Sequence, residues 1–218
     1  MELIFNNQLS ILIDILPLYL TPKQCVKLYS CNKILYNVYI NNNKFESNYF
    51  TPKDRIELKR AVNEWCSNKE EAIIKYGYIN NWNTIQIIDM SLIFQNKYDF
   101  NDDISDWNTS NIKDMASMFY QAYKFNKSIN NWNVLNVINM NDMFYYAVNF
   151  NQSLNNWNIS NLKHINFTFS KASCFNKDNC NNWDLNHIKD INKMYMLDSE
   201  DDDEDDKEYE EYEEYEVM

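Results

Sequence analysis

The hydrophobic positions of this chain recur with a period of 25 residues over its central part. The tryptophans mark the period most clearly, because five of the six follow one another at intervals of 25, 25, 25 and 26 residues. These five are Trp82, Trp107, Trp132, Trp157 and Trp183. One residue type kept at a constant interval indicates tandem repeats. We call the unit that starts at each of these tryptophans a coil and number the coils 1 to 5.

Further apolar columns repeat in phase with the tryptophans. Apolar residues mostly stand 5, 8, 11 and 12 places after each tryptophan, a spacing typical of one face of a helix. A phenylalanine lies at place 18 and is followed by asparagine, and the short segment from there to the next tryptophan predicts a strand. The predicted fold is therefore α/β, a short leucine-rich-repeat-like solenoid with one short strand and one short helix per 25-residue coil.

A single unit of this size buries too little apolar surface to offset the entropy lost when its backbone is ordered. Stacking buries both faces of every inner coil. We therefore expect the five repeated tryptophans to form a buried structural ladder together with Phe100, Phe125, Phe150 and Phe175. The asparagine columns are expected to bond the turn backbone of their own or the next coil.

The segments that flank the repeats differ in character. Residues 1–55 read as a helical amino-terminal segment, residues 56–78 as a helix before the repeats, and residues 79–197 as about five coils. The net charge is −12, yet the residues before Asp198 carry eighteen acids and nineteen bases. Residues 198–218 hold the other fourteen acids and one lysine. We expect a disordered acidic tail there, because such a run repels itself and buries little apolar surface.

The recurrent pattern W-N-x-S-N-[IL]-K-D-M-x-x-M-F…F-N-x-S-[IL]-x-x-W, preceded by KRAVNEWCSNKEEAIIKYGYINNW, resembles the BspA-like family of leucine-rich repeats. That family includes repeat proteins of mycoplasmas, algae and giant DNA viruses. The resemblance covers about residues 59 to 197 and implies binding rather than catalysis, with Trp65 in a helix that caps coil 1. Lys97 departs from the pattern, since other coils carry Ala122, Ala147 and Ala172 at that place. The high Asn, Ile, Lys and Tyr content suits an AT-rich genome and favours a giant-virus member.

Residues 9–37 resemble an F-box, on apolar positions that include Leu12, Ile15 and Leu20. The opening Leu-Pro of that motif is missing. This resemblance implies contact with a ubiquitin-ligase adaptor through residues 9–37. The alternative is a helical cap that covers the edge of coil 1.

Catalytic, metal and cofactor sites are not predicted. His164 and His187 stand at different places in their coils, the five cysteines form no C-x-x-C pair, and one glycine is too few for a phosphate loop. Most cysteines are expected in the core.

The sequence also offers no concentrated basic patch for nucleic acid, no apolar run of membrane-spanning length and no signal-peptide pattern. We expect a monomeric intracellular protein, in the host cytoplasm if it is viral.

The surface varies where the core columns do not. The residues that directly follow the asparagine column change in charge from coil to coil: Asp102, Lys127, Gln152 and Lys177. Their neighbours are Asp103, Ser128, Ser153 and Asp178. Such variation on a constant frame is typical of a binding face. The sequence thus predicts a non-enzymatic scaffold for protein–protein interaction. An F-box-type substrate receptor of a ubiquitin ligase and a surface adhesin-like repeat protein are the alternatives.

Overall fold

The computed structural model describes residues 50–188, 191, 194 and 195. Two α-helices come first, α1 at Arg55–Ser67 and α2 at Lys69–Tyr76. Short 3-10 helices follow at Ile79–Asn81 and Lys177–Cys180. The F-box-like segment and the acidic tail lie outside the described residues.

Three residues set the bounds of α1 and α2. The Asp54 carboxylate accepts the N–H of Glu57 at 2.8 Å and begins α1. Asn68 ends α1, and its side chain accepts the N–H of Glu71 and begins α2. Gly77 has a φ of 73° and ends α2, because glycine takes positive φ without a steric cost. The one helix expected over residues 56–78 is therefore two helices.

The predicted strand-plus-helix solenoid, and with it the α/β class, is wrong. Within the described residues no β-strand forms, and the coils contain no α-helix. Alternate N–H groups leave the coil: those of Met115, Ser117, Phe119 and Gln121 donate to carbonyls of coil 3 at 2.7–2.9 Å. The N–H groups of Met118 and Tyr120 close turns three residues back, and that of Ala116 donates to the Asp114 carboxylate. An α-helix would instead direct every N–H four residues back within the coil.

The apolar spacing misled because turns that close over three residues also bring every third side chain to the same side. Two positions in each of coils 1 to 4, at places 10 and 14, take positive φ between 53° and 62°. They are Leu92, Asn96, Ser117, Gln121, Asp142, Tyr146, Phe167 and Lys171. Each non-glycine residue there costs roughly 1 kcal/mol. The hydrogen bonds between coils offset that strain.

The segment predicted as a strand, from place 18 to the next tryptophan, does not form one in the described residues. Parallel contacts between coils occur as isolated bridges at place 7, where Asp89 pairs with Asp114, Asp114 with Asn139, and Asn139 with His164. The segments before Trp82 and Trp183 contain the 3-10 helices, and those before Trp107, Trp132 and Trp157 are irregular and end in a turn. In coil 3 the turn is closed by the N–H of Trp132, which donates to Ile129 O at 3.0 Å.

The five repeated tryptophans are buried, with exposed fractions of 2–8 %. Their rings stack where Trp82 meets Trp107, at 6.2 Å, and where Trp157 meets Trp183, at 6.0 Å. Every indole N–H from coil 2 onward donates, at 2.7–3.2 Å, to a carbonyl 28 or 29 residues earlier, in the segment that ends just before the preceding tryptophan. These acceptors are Ile79, Ile104, Ile129 and Leu154. Each tryptophan therefore both fills the core and joins two coils.

Two phenylalanine columns run beside the tryptophans. The column of Phe94, Phe119, Phe144, Phe169 and Tyr195 has centroid separations of 5.3–5.7 Å. The column of Phe100, Phe125, Phe150 and Phe175 has separations of 5.8–5.9 Å. Within a coil the two rings lie 3.9–4.1 Å apart. The core is thus a continuous aromatic stack along the coils.

Replacing Trp132 with phenylalanine should lower the free energy of unfolding by about 2–3 kcal/mol, because Ile104 O loses one of its two hydrogen bonds and the smaller ring leaves a cavity in the core. Urea denaturation followed by circular dichroism measures the change. Leu135→Ala, at an exposed position of the same coil, is the control and should change stability little. A fully stable Trp132→Phe protein would show that the indole hydrogen bond is dispensable.

Asp142 is a partly buried carboxyl at a position with a φ of 56°. Burial raises its pKa from 3.8 to about 6. Because the folded-state pKa lies above the unfolded one, the folded state binds this proton more tightly. This contribution to stability is complete below about pH 4 and is lost as the pH rises through 6.

Asp142→Asn should raise the free energy of unfolding at pH 7 by about 1–2 kcal/mol, after allowance for the exposed part of the side chain. Asparagine removes the charge and also tolerates positive φ. Little gain is expected at pH 4, where the carboxyl is largely protonated. Thermal melts at both pH values measure the difference, with the exposed Asp106→Asn as the control. An equal gain at both pH values would contradict the role of ionisation.

Candidate functional site

The predicted binding face is held in line by a ladder of asparagines. The backbone N–H of Asn126 donates to Asn101 Oδ1 at 2.9 Å, that of Asn151 to Asn126 Oδ1 at 3.0 Å, and that of Asn176 to Asn151 Oδ1 at 2.9 Å. Each ladder residue immediately precedes one residue of the face. We call the surface of residues 102–103, 127–128, 152–153 and 177–178 the polar face. The hydrogen bonds of this ladder align the residues of the polar face from one coil to the next.

The four predicted residues of this face have different surroundings. Asp102 accepts hydrogen bonds from Trp65 Nε1 at 2.8 Å and from Lys69 Nζ at 2.6 Å, so it ties coil 1 to the helices. Gln152 donates to Asn126 Oδ1 at 2.9 Å. Lys177 is exposed, and its Nζ lies 4.6 Å from the ring centre of Tyr195. Lys127 is partly buried and lines a groove.

That groove is open, has a volume of about 560 Å³ and crosses coils 1 to 3. It is lined by Asp103, Ser105, Lys127, Ser128, Asn130, Asn131 and Asn156. Two of its amides bridge coils: Asn131 Nδ2 donates to Ser105 O at 3.0 Å, and Asn130 Oδ1 accepts from Asn156 N at 3.0 Å. The lining offers amides, hydroxyls, one carboxylate and one ammonium group. Such groups can bond the backbone and polar side chains of another protein.

A second cavity was not predicted from the sequence. It has a volume of about 430 Å³ and lies between the α1–α2 pair and coil 1. We call it the helix cleft, lined by Trp65, Cys66, Lys69, Asn96, Lys97, Tyr98, Asp99, Phe100 and Asp102. The signal that could have found it is Lys97, which breaks a column of alanines.

The described cysteines and histidines lack the features of a reactive centre. Cys66 and Cys174 are exposed and Cys180 is buried, so the expected core placement is wrong for two of the three described cysteines. Partial burial of the sulfur raises the pKa of the Cys66 thiol to about 11, although the residue as a whole is exposed. The thiol is therefore protonated at neutral pH. His164 and His187 are both exposed.

Within the described part of the chain, no group of three or more His, Cys, Asp or Glu side chains is arranged to hold a metal ion. None of the helices in residues 50–188 has the length and apolar character needed to cross a bilayer.

Comparison with known proteins gives a family and no named relative. No curated protein and no solved structure matches the chain. The family described as Mycoplasma protein of unknown function, DUF285, matches residues 60–180 and again residues 128–210. The first of these matches alone takes in more than half of the chain, from within α1 through coil 4. With that extent of agreement over the repeats, the chain belongs to the DUF285 family.

Proposed function

We propose that this protein is a non-enzymatic scaffold that binds another protein through the polar face. The observation that carries the proposal is that buried positions keep the same kind of side chain from coil to coil, whereas the positions of the polar face do not. The buried columns keep one kind of side chain in successive coils, whereas the polar face presents a carboxylate, an ammonium, an amide and a second ammonium group in turn. Surface positions that vary on a constant buried frame are typical of a binding face.

The geometry of the polar face supports this role. The asparagine ladder holds consecutive face residues one coil apart, and the groove beside Lys127 adds a concave, polar contact area. Preordered donors and acceptors reduce the entropy lost on association. Asp102 is already bonded to the helices, so Lys127, Gln152 and Lys177 are the face residues that we assign to the partner.

The family resemblance points in the same direction. The 25-residue unit is similar to BspA-like repeats, and membership in that group would imply binding rather than catalysis. The resemblance to BspA-like proteins concerns the sequence of the repeat unit and its binding role. It does not include a strand-plus-helix architecture.

Changing Lys127, Gln152 and Lys177 together to glutamate should abolish capture of the partner without unfolding the protein. The change replaces two positive side chains and one neutral side chain with three negative ones, and the altered side chains are not in the aromatic core. Affinity capture from the native cell, with quantitative mass spectrometry of the retained proteins, measures the loss. Circular dichroism melts check that the variant remains folded.

The matched control is Lys113→Glu with Lys163→Glu, which reverses two exposed charges on a different face. This control should retain the same set of captured proteins as the unaltered chain. Loss of that set in both variants would indicate an unspecific effect of net charge. Retention in the triple variant would exclude the polar face as the binding site.

A further inference from the structure

Coil 1 departs from the other coils at the helix cleft. At place 15, coils 2 to 4 carry Ala122, Ala147 and Ala172, which are 0–6 % exposed, whereas coil 1 carries Lys97. A lysine at the place of a buried alanine adds a charge next to the core. The Lys97 side chain needs surroundings that the other coils lack, and the helix cleft provides them.

Lys97 supplies a positive charge that its neighbours do not neutralise. Lys69 Nζ is paired with Asp102, and Lys124 is paired with Asp99 on the other side. Both carboxylates that line the cleft therefore already have a cationic partner. Among the described residues, no salt bridge involves Lys97. The cleft thus favours a ligand that carries a negative charge.

Tyr98 supplies an aromatic wall. Its side chain is 48 % exposed, and one face of its ring stacks on Tyr123 of coil 2 at a centroid distance of 4.9 Å. The helices stand on the other side of coil 1, where Trp65 lines the same cleft. In this column, Tyr123 receives the Tyr98 ring from the coil before it. Coil 1 has helices in that place, so the Tyr98 ring can accept a further ring from a ligand.

The remaining walls are fixed and include an unpaired acceptor. Asp102 accepts from both Trp65 and Lys69, and the Lys69 ammonium also lies 5.0 Å from the Trp65 ring centre. Asn96 lines the cleft, and its buried Oδ1 has no hydrogen-bond partner. A small rotation of this amide would let it accept a hydrogen bond from a ligand.

From these groups together we infer that the helix cleft binds an aromatic side chain of a partner peptide with a carboxylate next to it, as in a tyrosine flanked by glutamates. The ring stacks on Tyr98, the carboxylate pairs with Lys97, and the phenol hydroxyl donates to Asn96 Oδ1. A nucleobase could stack in the same way, but Lys97 is the one cation lining the cleft without an ion pair among the described residues, which is too little positive charge for a phosphate backbone. This site shares Asp102 with the polar face, but Asp102 is not one of the face residues assigned to the partner, so the test does not depend on that proposal.

The probe is a fluorescein-labelled pentapeptide with one tyrosine between two glutamates on each side, titrated with the full chain and followed by fluorescence anisotropy. The same peptide with alanine in place of tyrosine should bind about tenfold more weakly, because the ring contact is lost. Free N-acetyltyrosine distinguishes a peptide from a small aromatic acid. It should also bind more weakly than the pentapeptide.

Two substitutions test the cleft with residues that the repeat already contains. Lys97→Ala restores the alanine of the other coils, and Tyr98→Ser introduces the residue of Ser173 in coil 4. Each should weaken binding of the pentapeptide about fivefold or more while leaving the melting temperature nearly unchanged. Lys163→Ala removes an exposed lysine elsewhere and should leave the affinity as it is.

Residues 208–216, EYEEYEEYE, carry the same chemistry as the probe and would compete with it. A second titration therefore uses the full chain with Tyr209, Tyr212 and Tyr215 changed to alanine, and binding at least as tight as before is expected. The inference is overturned if no binding occurs below about 1 mM. It is equally overturned if the alanine peptide or N-acetyltyrosine binds as well as the pentapeptide, or if neither Lys97→Ala nor Tyr98→Ser weakens binding.

Discussion

The hydrogen bonds that leave one coil and end on the next are the constraint on which the rest of the structure depends. Alternate N–H groups find their acceptors 24 residues further along the chain, as when Met115 donates to Asn139. Buried backbone groups have to be paired, so this one offset fixes the register of every other column. The aromatic rings then stack coil upon coil. The tryptophan indoles and the ladder asparagines add further bonds, as from Trp132 to Ile104 over 28 residues and from Asn151 to Asn126 over 25 residues. Residues with positive φ are tolerated because the bonds they permit exceed their strain.

Much of the repeat could be read from the sequence, but its local conformation could not. A buried column has to keep similar side chains in every coil, so the tryptophans and phenylalanines reveal the period directly. Apolar residues three places apart fit both a helix and a series of three-residue turns. The length of the repeated segment does not distinguish these two structures. Glycine marks none of the eight positions with positive φ in the coils; residues such as Leu92 and Phe167 occupy them instead. The α/β prediction failed at this point.

For the polar face and the helix cleft, too, part of the structure could be predicted from the sequence and part could not. The face could be placed because its residues directly follow the asparagine column. That Asp102 would be held by the Trp65 indole, 37 residues away, depends on how α1 docks on coil 1, which no periodicity encodes. Lys97 was visible as an exception to the alanine column. Its surroundings depend on the two helices, which stand where a preceding coil would otherwise lie.

The equivalence of the steps between coils has a consequence for how such a chain changes over generations. Each inner coil meets its neighbours through the same offsets, the same ring contacts and the same asparagine bonds, so none of these contacts identifies which coil it belongs to. In-frame duplication or loss of one unit in the gene would therefore leave every remaining junction intact. The stack can lengthen or shorten in whole units, and its outer surface can diversify one row at a time.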